Sequence, residues 1–278
     1  MINKGVLLLL GLVGLSLTGC PDGGGSGSVS LGTTAPPVVY VSNQGSNNVT
    51  AFTINGLTGS LSAVAGSPFA AGTTPNAVTV SPNGQFLYVA NGGGNNVSAY
   101  TIAAATGVLT AVAGSPVAAG TTPNAVTVSS NGQFLYVANG GGNNVSAYTI
   151  AVGTGVLTPV AGSPFLAGTN PNGVVADPTG QFLYVANGGG DVSAYTIAAG
   201  TGVLTPIAGS PFAAGTTPKG VTVEPNGQFL YVANGGSANV SAYTITAGTG
   251  VLTPLAGALG NPFGAGTAPS GIATPGRP

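Results

Sequence analysis

The chain has 278 residues, three basic and four acidic side chains, no histidine and one cysteine. That balance excludes a nucleic-acid partner, because neutralising phosphates needs clustered Lys and Arg, and only Lys219 and Arg277 follow the first 20 residues. A single cysteine excludes an internal disulfide and a cysteine-clustered zinc site, and neither metal nor cofactor is expected. A chain that is 43% hydrophobic and 3% charged is also a poor candidate for disorder.

Residues 1–19 read as an export signal. Lys4 precedes an apolar run over 5–15, too short for a membrane-spanning helix, which needs roughly 20 residues. Leu17-Thr18-Gly19-Cys20 then resembles the lipobox of bacterial lipoproteins, which implies a lipidated Cys20 as the first mature residue. The Gly/Ser-rich stretch 20–37 is a flexible tether. Expected from this are a membrane partner through the lipid on Cys20 and a place in the bacterial cell envelope.

From residue 38 to the end the chain repeats itself. The tyrosine of a Tyr-Val-(Ala/Ser)-Asn motif recurs at Tyr40, Tyr88, Tyr136, Tyr184 and Tyr231. A second aromatic recurs at Phe52, Tyr100, Tyr148, Tyr195 and Tyr243. Segments 75–103 and 123–151 differ only at Pro82 against Ser130. One unit predicts four short strands, over 77–80, 86–90, 97–102 and 108–113, with turn chemistry at Ser81-Pro82-Asn83-Gly84 and Thr106-Gly107. The stretch 114–123 reads as the connection to the next unit. Strands that are β-branched or aromatic with few charges on either face suit sheets covered on both sides. Four such strands at this period predict an all-β fold, a β-propeller of four-stranded blades occupying 38–278.

The phase of the repeat bears on the ring. The chain enters at a second-type strand over 38–42, passes through four complete units, and ends with 269–274, which aligns with the first-type strand over 75–80. The expectation is five blades, closed by pairing of the N- and C-terminal strands.

Units such as NAVTVSPNGQFLYVANGGGNNVSAYTI, followed by GVLTAVAGSP, resemble the YVTN-repeat propellers of the bacterial lactonase-like family, over essentially all of 38–274. The resemblance implies a seven-bladed relative and, for some members, hydrolysis of sugar lactones such as 6-phosphogluconolactone. This chain departs from it in carrying repeats for five blades, and in lacking the His and most of the charges that the enzymes place around the central pocket.

Candidate site residues fall on one rim, where the second-to-third loops meet the connections between units. Asn76, Asn124, Asn172 and Lys219 are equivalent positions at the start of the first-type strand, near the channel mouth, with Ser270 the fifth. Asn96, Asn144 and Asp191 belong to the loops on the same rim. Amide side chains offer two donors and an acceptor, which suits sugar hydroxyls. Asn and Gly are also loop formers that tolerate left-handed backbone. Asp177 and Glu224 share a repeat position on the opposite rim and read as turn caps. A Ser–His–Asp triad is impossible without histidine. Gly92-Gly93-Gly94 precedes no helix, and the Asn-X-Ser/Thr sequons are a by-product of the repeat.

No residue is therefore assigned as catalytic. The primary expectation is a non-catalytic binding or scaffolding module for a carbohydrate or a protein partner. The alternatives are a lactonase-like hydrolase and a truncated or self-assembling propeller fragment.

Overall fold

A computed structural model describes residues 36–255 and 262–275. The export signal over 1–19, Cys20 and nearly all of the tether lie outside them.

The first sheet contains β1 (Val38–Asn43), β2 (Asn48–Ile54), β3 (Leu61–Ala63) and β4 (Phe69–Ala70). The second adds an inner strand: β5 (Pro75–Val80), β6 (Phe86–Asn91), β7 (Asn96–Ile102), β8 (Leu109–Ala111) and β9 (Val117–Ala118). Three further sheets repeat the second, with inner strands Pro123–Val128, Pro171–Ala176 and Pro218–Val223. The antiparallel meander β5-β6-β7-β8 is the four-stranded propeller blade.

The turns form as their residues dictate. Gly84 takes φ 71° and its amide closes on the Ser81 carbonyl at 2.8 Å. The Ser81 hydroxyl accepts the Phe86 amide at 3.0 Å, so the turn hands its backbone donor to a side chain.

The fourth strand departs from the expectation. It is two short pieces, both paired to β7: β8 with Tyr100–Ile102, β9 with Asn96 and Val97. Between them the Ser115 hydroxyl accepts the Ala99 amide at 2.8 Å, replacing a ladder bond across the Ser115–Pro116 break, where the peptide is cis. The Gly-Ser-Pro motif is therefore an interruption within the strand, and only the few residues after β9 connect one blade to the next.

Every residue of β6 is buried, on both faces. One face packs with its own blade and the following one: Phe86, Tyr88 and Ala90 cluster with Leu135, Val137, Tyr148 and Leu157. Full burial of side chains such as Leu135 and Val137 contributes about 1.5–3 kcal/mol each. A polar latch crosses each step as well. The hydroxyls of Tyr40, Tyr136 and Tyr184 donate to the carbonyls of Gly107, Gly202 and Gly250 in the next blade, at 2.8, 3.0 and 2.9 Å. Beside them the rings of Phe86, Phe134 and Phe182 lie against Gly155, Gly202 and Gly250.

The expected closure of a five-bladed ring is not formed. Among the described residues strand β1 pairs only with β2, and residues 269–274 carry no strand. They lie instead beside Pro218–Val223, with the Thr274 hydroxyl on the Val223 carbonyl at 3.3 Å and the Ser270 carbonyl against Gly220. Between successive sheets the Phe and Tyr side chains, with Val38 in the place of the Phe at the first step, sit on the glycine of the next. The terminal segment thus lies beside the inner strand of the fifth sheet and not on β1.

Candidate functional site

The inner strands begin with an irregularity that the repeat does not reveal. The pairing register slips between Pro75 and Ala77, Pro123 and Ala125, Pro171 and Gly173, and Pro218 and Gly220. Each slip leaves one extra residue: Asn76, Asn124, Asn172 and Lys219. A bulge re-aims the side chain it carries. Here it turns four equivalent side chains out of the ladder at one mouth.

Three of them form an amide ladder from blade to blade. Asn76 Nδ2 donates to the Pro123 carbonyl at 2.9 Å and to Asn124 Oδ1 at 3.4 Å. Asn124 Nδ2 donates to the Pro171 carbonyl at 3.0 Å and to Asn172 Oδ1 at 3.3 Å. Asn172 Nδ2 reaches the Pro218 carbonyl at 2.8 Å. Gln44 starts the series by donating to Asn76 Oδ1 at 3.0 Å. Lys219 ends it: its side chain is exposed, where its three counterparts are partly buried. The ladder thus ties neighbouring blades at the starts of their inner strands, with the exposed ammonium of Lys219 at its end.

The loop candidates are held more tightly. Asn96 Oδ1 accepts Asn91 Nδ2 at 2.8 Å and its own amide donates to the Gly94 carbonyl at 3.0 Å. Asn144 repeats this with Asn139 and Gly142. Asp191 Oδ1 takes the same place in the shortened loop, accepting Asn187 Nδ2 at 2.6 Å. These three side chains brace their own loops, while the bulge residues reach across to the neighbouring blade.

Two groups of residues were missed by reading the repeat. The last residue of the Tyr-Val-Ala-Asn motif is a fully buried hub: Asn139 Nδ2 donates to Asn144 Oδ1 and to the Ser146 hydroxyl, at 2.8 and 2.9 Å. Asn47, Asn95 and Asn143 sit at φ 55, 51 and 53°, and each side-chain oxygen accepts a backbone amide, of Thr74, Thr122 and Asn170, at 2.8 Å. The signal was present in the Asn-Asn pair of each loop, one residue capping the backbone and the next serving the hub.

On the opposite rim Asp177 is a turn cap. Its carboxylate is 2% exposed and accepts the amides of Thr179 and Phe182 and the Thr179 hydroxyl. Glu224 holds the turn by backbone alone, its amide on the Phe229 carbonyl at 3.1 Å. Among the described residues no group of three or more His, Cys, Asp or Glu stands together to ligate a metal.

Sheets of four-stranded type stepped around inner strands, with a polar mouth built from their bulges, define a β-propeller. The model of the lactonase, seven-bladed β-propeller family matches residues 38–175, 114–213 and 164–263, so the chain belongs to that family. A putative 6-phosphogluconolactonase from Bacteroides uniformis is similar in structure, with 19% identity and a TM-score of 0.69 over 78% of this chain and 66% of that one. The periplasmic gluconolactonase PpgL of Pseudomonas aeruginosa gives 20% identity and a TM-score of 0.67, over 80% of this chain and 65% of that one. A protein from Lactobacillus plantarum gives 20% identity and 0.70, covering 84% and 70%. At such identities the likeness is one of fold, and the chain spans only about two thirds of the length of the first two structures. No curated protein sequence matches the chain.

The family match overturns the expectation of a non-catalytic binding or scaffolding module. That expectation rested on absent histidine and scarce charge. The family is that of the lactonase propellers, and the match extends over residues 38–263.

Proposed function

We propose that the chain is a lactonase-like hydrolase of a sugar lactone, working at the mouth lined by the bulge residues. The observation that carries this reading is the family match over 38–263. The gluconolactonase names of two structural neighbours agree with it. In the reaction water adds to the lactone carbonyl, negative charge grows on the carbonyl oxygen, and the ring oxygen leaves as a hydroxyl. An ammonium aimed at that oxygen stabilises the charge where it develops. Lys219 is the exposed cation among the bulge residues. The amides of Asn76, Asn124 and Asn172 are the groups suited to a neutral sugar's hydroxyls.

Removing a single donor to an oxyanion typically costs about 10²–10³-fold in kcat. Lys219→Ala is expected to lower turnover of glucono-δ-lactone by roughly 10²-fold, and Lys219→Arg to keep part of it. The assay is the rate of acid release, with the spontaneous rate in buffer subtracted. An unchanged Lys219→Ala rate, or no turnover above buffer by the parent chain, would refute the proposal.

The location of the activity is part of the same reading: an exported domain held to the membrane by lipid on Cys20, on the strength of the sequence around it. Cys20→Ser is expected to move the protein from the membrane fraction to the soluble one and to abolish incorporation of labelled palmitate. Retention of label in the variant would end this part of the reading.

A further inference from the structure

Each step from blade to blade uses the same two complementary surfaces. One presents a Phe and a Tyr, as in Phe134 and Tyr136, with Val38 in the place of the Phe at the first step. The other presents a glycine socket and an apolar wall, as in Gly202, Leu183, Val185 and Leu204.

Both surfaces also occur unengaged. On the last sheet Phe229 and Tyr231 are half-buried where Phe134 and Tyr136 are buried, and the Tyr231 hydroxyl makes no hydrogen bond among the described residues. On the first sheet Gly59 has the socket conformation, φ 71°, with nothing near the place of a Cβ. Its wall is open too: Leu61 is 55% exposed and Val41 43%, against 6% and 0% for their counterparts Leu109 and Val89. A third half-feature sits beside these. Among the described residues the first sheet has no inner strand and the outer edge of β1 has no partner, and residues 269–274 have an inner strand's sequence but no strand pairing.

We infer that a second copy of this chain joins these halves. The last sheet of one copy docks on the first sheet of another, and 269–274 of the first copy pairs antiparallel with β1 of the second. Addition of a strand to a free edge supplies backbone hydrogen bonds, and the side chains supply specificity. The register follows from the pairing of β5 with β6, in which Val78 faces Val89 and Thr79 faces Tyr88. Shifted by the repeat, Ile272 faces Val41 and Ala273 faces Tyr40. A second copy is favoured over the chain's own first sheet because both surfaces stay open within one molecule, with 269–274 beside the fifth sheet's inner strand and not beside β1. The near-neutral chain adds no net-charge barrier to self-association. Head-to-tail contacts of this kind close into a ring or continue as an open assembly.

The test uses the full chain carrying Cys20→Ser, so that lipid plays no part. Light scattering is expected to give at least twice the 26.3 kDa chain mass, and Phe229→Lys, which changes a half-exposed side chain, to return it to one chain. A second arm places Ile272→Cys and Val41→Cys on separate chains; oxidation of the mixture is expected to give a cross-linked dimer. A single-chain mass at every concentration overturns the inference. So does cross-linking within one chain when both cysteines are carried together, which would mean closure on itself. The mass is read without substrate, and Lys219→Ala is expected to leave it unchanged, so this inference and the lactonase proposal fail separately.

Discussion

Above about pH 10 the propeller is expected to lose its structure cooperatively, in a transition led by its tyrosines. Burial pushes the phenols of Tyr40, Tyr88, Tyr100, Tyr136, Tyr148, Tyr184, Tyr195 and Tyr243 upward, because the phenolate loses hydration inside the sheets. Tyr195 is pushed up to about 12 by burial, with a lowering from the Ser193 hydroxyl and a further rise from Asp191. Asp177 adds to the effect of burial at Tyr184.

The sign follows from proton binding. The folded chain holds these protons more tightly than the unfolded chain, whose phenols ionise at about pH 10. The stabilisation is therefore complete below that pH and is lost as pH rises through the folded values. Phenolate absorbance and circular dichroism followed together are expected to change in one step. Gradual ionisation at the ordinary phenol value, with the sheet signal intact, would show that the hydroxyls are not held between blades.

Gly202→Ala is expected to destabilise the chain by roughly 2–4 kcal/mol, and Gly59→Ala by only about 1 kcal/mol. Both glycines lie in left-handed backbone, at φ 72 and 71°, so both substitutions carry the same conformational cost. They differ in what the new methyl meets. At Gly202 it would fall inside 3.0 Å of the Phe134 ring, whose neighbours Tyr136 and Leu183 leave it no room to retreat. At Gly59 nothing lies within 4 Å. Urea midpoints measured at a concentration where the chain is monomeric separate the two; equal losses would mean that the ring-on-glycine wedge does not set the blade step.

The fold class was legible because its cause is local and repeated. Alternating strand and turn chemistry recurring from Tyr40 to Tyr231 admits few other architectures, and the motif's resemblance to the lactonase-like family agreed with the match over 38–263. Asp177 was legible as a cap, since a short acidic side chain ahead of a Pro-Thr-Gly turn has backbone amides within reach. The function reading failed because it weighed the absence of charged groups above the resemblance. The site was legible only in part. Asn76, Asn124, Asn172 and Lys219 were found as equivalent positions, but nothing in their spacing distinguishes a bulge from a regular strand start. Nothing in it distinguished them from Asn96, Asn144 and Asp191 either, which turn inward to brace loops.

By itself the sequence determined the first three strands of each repeat unit, their turns, the family and the places where unlike residues interrupt the repeat, because each of these depends on neighbours a few residues away. The tertiary structure decided what depends on surfaces far apart in the chain. The seating of one blade on the next comes from Phe rings set on glycines 68 to 69 residues later in the sequence, and 269–274 lie beside the fifth sheet. The amide ladder needs four blades side by side before its three donors find their carbonyls. The exposed halves at Gly59 and Tyr231 are defined only against the filled copies between them.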